Sequence, residues 1–214
     1  MRTTMADMTT SVEQCDDQRQ ILELVALGKP LRETLEAITQ FVERHEPGSR
    51  CAILLISPDP PHSTTCVAPS FPEAFCNSLS EICIDPPCLG SCGAAADRCE
   101  LIVVSDVAND DRYPVSWRNT LLACDSRALS SHPIRDGEKA VACLSIHYSE
   151  PQSDLPRNLP LIGAATHLAS LAIHRETAKE ADERRSRRAS LLSSIAQRLV
   201  MHDDPTPDLE PAFN

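Results

Sequence analysis

Aromatic side chains are scarce in this chain: one Trp, two Tyr and four Phe among 214 residues. A core built from it must be mostly aliphatic, and a stacking platform for single-stranded nucleic acid has too few rings to form. Positive charge is outnumbered too. The formal net charge is −11, which repels a phosphate backbone and argues against nucleic acid as a partner. No apolar run approaches the roughly 18 residues of a membrane span, so no membrane partner is expected. Met1 to Gln14 is too polar for a signal peptide. The expectation is a cytoplasmic protein. Also missing are a Gly-x-Gly-x-x-Gly turn, a P-loop and a Ser/His/Asp elbow, so phosphate-handling chemistry has no support.

Hydrophobic residues make up 42% of the chain. That supplies a core for one domain of about 150 residues with flanking segments. Ten cysteines are present. Without an export signal they are expected as reduced thiols, and those in apolar runs, such as Cys51 and Cys143, read as small buried hydrophobes. Cys83, Cys88, Cys92 and Cys99 lie close in sequence, but only Cys88-x3-Cys92 has the spacing of a zinc knuckle, and no second knuckle follows. His132 and His147 could complete a metal site only if the fold brought them there. No metal site is therefore expected, and no cofactor can be named.

Residues 1–17 read as a flexible N-terminus. From Gln18, Ile21, Leu22, Leu24, Val25 and Leu27 form a short helical stripe that stops at Gly28-Lys29-Pro30. Leu31, Leu35, Ile38 and Val42 recur at helical spacing, and Pro47-Gly48 ends that helix. Arg50 to Ser57 reads as a buried strand, with Thr65 to Ala68 as its hairpin partner. Ser70 and Pro72 look like the opening of a short helix over residues 71–79. Two glycines in Leu89-Gly90-Ser91-Cys92-Gly93-Ala94-Ala95 suggest a loop entering a helix whose start packs tightly. Leu101 to Val104 reads as a strand and Asp106 to Arg118 as irregular. Two final strands, Ala128 to Ile134 and Lys139 to Tyr148, flank a turn at Asp136-Gly137. A helix over residues 159–173 then runs into a charged stretch. This order argues for an α+β domain with an antiparallel sheet of about six strands, flanked by N- and C-terminal helices.

Several of these segments resemble the bacterial sensory GAF family. Leu89-Gly90-Ser91-Cys92-Gly93-Ala94-Ala95 is similar to its Gly-Ser-Cys-Gly-Thr-Ala-Ala segment. Ile102-Val103-Val104-Ser105-Asp106-Val107-Ala108 is similar to its valine-rich strand and Asp-Ile-Ala turn. Arg127 to Ile134 resembles Arg-Ala-Cys-Trp-Ser-x-Pro-Ile, with Leu129-Ser130 in place of Cys-Trp. The resemblance runs from about Gln20 to Glu176 and implies a GAF domain over residues 18–176.

It further implies a small-molecule pocket between the sheet and the loop-rich middle, lined near Cys92, Trp117, Ser131 and Cys143. Such domains commonly regulate an output domain, such as a histidine kinase or a cyclic-di-GMP enzyme. None is expected before Asn214, so the output would come from a partner protein, or the chain would be a fragment of a longer sensor. One GAF-fold enzyme, free methionine-(R)-sulfoxide reductase, uses three cysteines, and Cys92, Cys83 and Cys124 fall near those places. The Cys124-to-Pro133 spacing is shorter than that enzyme's, and residues 141–147 contain none of its acidic groups. The same resemblance is compatible with a thiol redox sensor and with a ligand-free dimerisation scaffold.

Residues 177–202 read as a charged helix. Glu180 with Arg184 and Glu183 with Arg187 stand at favourable i,i+4 spacing, and Leu192, Ile195 and Leu199 fit a short coiled coil joining a homodimer. Residues 203–214, with three prolines, read as a flexible tail.

Overall fold

The computed structural model describes residues 5–57, 64–80 and 90–202. The chain divides into two units, Met1–Arg175 and Glu176–Asn214. The first unit carries a five-stranded antiparallel sheet in the order β2-β1-β5-β4-β3. The strands are β1 (Ser49–Ile56), β2 (Thr64–Val67), β3 (Ile102–Val104), β4 (Ala128–Asp136) and β5 (Lys139–Tyr148). The α+β class is as expected, with five strands among the described residues instead of about six.

One sheet face is covered by α1 (Met5–Leu27), α2 (Leu31–His45) and the first part of α6 (Leu159–His202). The α2 stripe of Leu35, Ile38 and Val42 is fully buried there, against Cys51 and Ile53 of β1 and Leu144 and Ile146 of β5. From α6, Leu161, Ile162, Ala165, Leu168, Ala169 and Ile173 pack into the same core. Each buried aliphatic side chain contributes about 2 kcal/mol of transfer free energy, which is why this stripe dictates the helix's orientation.

α1 starts well before Gln18. No glycine or proline interrupts Met5 to Leu27, so nothing breaks the helix. Asp17 ties it to α2, accepting from Arg44 at 3.0 Å and meeting His45 Nε2 at 2.8 Å.

The other sheet face meets α3 (Glu73–Ser80), α4 (Gly90–Arg98) and α5 (Val115–Ala123). α3 forms where Pro72 suggested, but Ser70 does not cap it. The Ser70 hydroxyl instead donates to Glu43 Oε2 at 2.6 Å, while Glu43 Oε1 accepts from the Cys51 amide at 2.7 Å. α5 lies in the segment expected to be irregular. Its sequence hides it because only Trp117, Leu121 and Leu122 turn inward, among polar residues. Arg112, paired with Asp110 and donating to the Val103 carbonyl at 2.7 Å, fastens the preceding turn to β3.

β4 and β5 form the expected hairpin. Asp136 pairs with Lys139 around Gly137, whose φ of +62° suits the turn. Among the described residues, no helix is long and apolar enough to cross a membrane.

The second unit is helical through His202. Its charge pairs form as the spacing suggested, Glu180 with Arg184 and Glu183 with Arg187, each at 3.5 Å. Leu191, Leu192 and Ile195 are exposed. The Leu199 side chain and residues 203–214 lie outside the described residues.

Candidate functional site

Strand alternation selects the site. Ser131 pairs with Ser145, Leu129 with His147, Ala52 with Ser145 and Leu54 with Cys143. Directly paired residues share a face, so Cys143, Ser145 and His147 of β5 line up with Ser131 and Leu129 of β4 and with Leu54 of β1. This is the face under α3, α4 and α5.

Between sheet and helices lies a cavity of about 30 Å³, room for about one or two water molecules. Leu54, Leu129, Ser145 and His147 form its floor. Phe75 and Leu79 of α3, Ser91 and Cys92 of α4, and Tyr113, Trp117 and Leu121 close it. The lining is mostly apolar, with a few hydroxyls, one imidazole, one thiol and no formally charged side chain.

α4 can sit this close because of its small residues. Gly90, Ser91, Gly93, Ala94 and Ala95 are all buried. Gly90 adopts φ +49°, and a Cβ there would stand 2.7 Å from Trp117 Cζ3. A side chain at this position would therefore push the indole out of the cavity wall.

Two hydrogen-bond relays run along the walls. In the first, Tyr113 OH donates to Ser91 Oγ at 2.6 Å, Ser131 Oγ donates to Ser91 Oγ at 2.9 Å, and Cys92 Sγ lies 3.4 Å from Ser131 Oγ. In the second, Ser145 Oγ donates to the Ala52 carbonyl at 3.4 Å, so it accepts from His147 Nε2 at 2.9 Å. His147 Nδ1 then accepts from Ser126 Oγ at 2.7 Å. This pattern assigns the Nε2–H tautomer.

Burial holds His147 neutral, with its pKa pushed down to about 3, and the nearby Arg50 guanidinium adds to the effect. Arg50 lies 4.4 Å from the centre of the Phe71 ring. Phe71 stacks on Phe75 at 4.2 Å, and both rings meet His147 edge-on.

The Cys92 thiol has its pKa lowered to about 7. The neighbouring Cys143 thiol lowers it most, and the Ser131, Ser145 and Ser91 hydroxyls add to this against the cost of burial. Hydroxyl protons can turn toward a thiolate, so the polar wall stabilises negative charge on sulfur. Cys143 is pushed the other way, chiefly by its own burial.

The structure therefore brings Cys92, Ser131 and Cys143 together, with Trp117 across the same cavity. Cys124 stands apart from this polar group. It caps the end of α5, where its carbonyl accepts from Arg50, and its side chain packs on the apolar cluster under α3 and α5. Cys83 and Cys88 lie outside the described residues. His132 and His147 point to opposite sheet faces, with His132 Nε2 at 2.9 Å from Ser130 Oγ. They cannot share a metal ion, and no cluster of three metal-ligating side chains occurs among the described residues.

Ser91, Tyr113, Ser145 and His147 were not singled out as pocket residues from sequence. The period-two row Cys143-x-Ser145-x-His147 was the available signal.

A model of the GAF domain family matches residues 30–173. The methyl sulfide methyltransferase-associated sensor of Methanosarcina acetivorans is 22% identical over 191 residues, covering 87% of this chain and 19% of that protein. The chain thus spans about a fifth of that relative's length. The GAF domain of a phosphoenolpyruvate-protein phosphotransferase from Coxiella burnetii superposes with a TM-score of 0.61 at 18% identity, covering 78% of this chain and 96% of the other. Free methionine-R-sulfoxide reductase from Neisseria meningitidis, solved with its substrate, gives 0.57 at 14% identity, covering 84% and 96%. At these identities the structural likeness is one of fold.

Proposed function

The chain belongs to the GAF domain family, and we propose that it is a small-molecule-sensing regulatory module of bacterial signal transduction, acting in the cytoplasm through a partner or output protein. The observation that carries this reading is the cavity under α3, α4 and α5, walled by apolar side chains and two hydrogen-bond relays. A few polar groups in an apolar concavity are what a small ligand needs for orientation. With no carboxylate, lysine or arginine in the lining, the ligand is neutral and small, with one or two hydrogen-bonding groups. Binding widens the cavity by moving α3 or α5. The sensor among its relatives supports the regulatory role, and a histidine kinase or a cyclic-di-GMP enzyme is the kind of output it would serve.

The exposed Leu191, Leu192 and Ile195 suit a second copy of the same helix, giving a homodimer joined by a short coiled coil. Thermal melting of the reduced protein against a library of small neutral compounds, with cyclic nucleotides, amino acids and nitrate as charged controls, tests the reading. A saturable rise in Tm for a neutral compound supports it. A dimer whose melting no compound changes would favour the ligand-free scaffold instead.

A second reading is favoured by one observation, the Ser131 hydroxyl and the Cys143 side chain gathered at the Cys92 sulfur. It makes Cys92 a reactive thiol, in a redox sensor or in a reductase. The sulfoxide reductase in particular would also enlist Cys83 and Cys124. Peptide-resolved alkylation tests this second reading, which requires Cys92 to react first.

A further inference from the structure

We propose that Cys92 and Cys143 form a hydroperoxide-reactive dithiol at the cavity wall, with Cys92 attacking and Cys143 resolving. This rests on the reading of Cys92 as a reactive thiol, and it supplies a partner from β5 in place of Cys83 and Cys124.

The two thiols occupy unequal positions, as the chemistry requires. Cys92, on the first turn of α4, is half-buried and lines the cavity. Cys143 lies beneath it in β5, fully buried and away from the lining. Both pack in one small cluster with Ala94, Ala95 and Ile102, where the Cys143 thiol donates to the Leu144 carbonyl at 3.8 Å. An oxidant in the cavity therefore meets Cys92 first, while Cys143 can be reached only through it.

The cavity also selects the oxidant. At about 30 Å³ it accepts hydrogen peroxide or a comparably small hydroperoxide, and it excludes bulky sulfoxides and disulfides unless the helices part. No carboxylate in the lining opposes a thiolate. The sulfur is ionised near neutral pH, with its pKa lowered to about 7. A thiol at 7 has about fifty times the thiolate fraction of one at 9 when the solution is at pH 7.

The Cys92 thiolate attacks one peroxide oxygen. An S–O bond forms, the O–O bond breaks, and the departing oxygen takes a proton from the Ser131–Ser91 hydroxyl relay and solvent, leaving as water or an alcohol. Sulfur is oxidised to the sulfenic acid and the peroxide is reduced. Cys143 then attacks the Cys92 sulfur, forming an S–S bond as the S–O bond breaks. Its thiol proton leaves with the sulfenic oxygen as water. The sum is two thiols and one hydroperoxide giving one disulfide, one alcohol or water, and one water.

The test treats the reduced full chain with stoichiometric hydrogen peroxide, blocks the remaining thiols and maps the peptides. The expected product is a Cys92–Cys143 disulfide that dithiothreitol reverses. In Cys143→Ser, Cys92 stops at the sulfenic acid and is trapped by dimedone. In Cys92→Ser, Cys143 stays a thiol. Melting curves of both variants establish that they fold, and the wild-type map needs no variant at all. Cys92 linked instead to Cys83 or Cys124 overturns the Cys143 assignment while leaving Cys92 as the reactive thiol. Cys92 remaining reduced while other cysteines oxidise overturns both.

Discussion

The Trp117 indole rests on the bare α-carbon of Gly90. A Cβ built there would lie 2.7 Å from Trp117 Cζ3 and 3.4 Å from Tyr113 Cε1, on a backbone at φ +49°. Gly90→Ala meets both obstacles at once, a left-handed backbone and a clash with the cavity wall. We expect a loss of about 2–4 kcal/mol in urea unfolding. Trp117 is the only tryptophan, so its emission should also shift toward that of a solvated indole. An unchanged emission spectrum would contradict this packing.

Acid should unfold the protein in a particular window. Burial pushes His147 down to about 3 and His132 to about 4, while both sit near 6.5 once unfolded. Below pH 6.5 the unfolded chain takes up protons that the folded chain refuses, so stability falls as pH drops. Each histidine contributes up to about 1.4 kcal/mol per pH unit. The slope fades as pH rises past the unfolded value and is gone by about pH 8. His132→Asn should reduce the slope between pH 6 and 4.5 by about that amount. An equal slope in the variant would contradict the assignment.

Ser131→Ala should raise the Cys92 pKa from about 7 toward the ordinary thiol value. The hydroxyl lies 3.4 Å from the sulfur and, after the neighbouring Cys143 thiol, helps to lower its pKa. Alkylation rates across pH, resolved by peptide, read this directly. A midpoint that does not move would mean that Ser131 donates only to Ser91.

If the exposed Leu192 and Ile195 join two copies, replacing both with Glu should convert a sedimenting dimer to a monomer. The Tm of the sheet domain should then change little. A wild-type chain that stays monomeric at every concentration would contradict the proposed coiled coil.

Much of the fold was legible because local chemistry and packing agree. Asp136-Gly137 announces the β4–β5 hairpin, and the small residues after Gly90 announce a helix packed close to the sheet. α5 was not legible, since Trp117, Leu121 and Leu122 make too thin a stripe to separate a short helix from loop. The start of α1 was missed because its polar first turns look unstructured without the Asp17 contacts to Arg44 and His45. Cys92, Trp117, Ser131 and Cys143 came forward through the family resemblance. The relays were not foreseen: Ser91 and Ser131 are 40 positions apart, and Ser126 and His147 are 21. Serine carries no motif at such distances, and only the strand register brings these residues together.

The most direct measurement is a titration of the reduced protein with small neutral compounds, following Trp117 emission and Tm together. A saturable emission change with a matching rise in Tm is the result expected of a ligand entering the cavity under α3, α4 and α5. Emission and Tm both indifferent to every compound would contradict small-molecule sensing at this site.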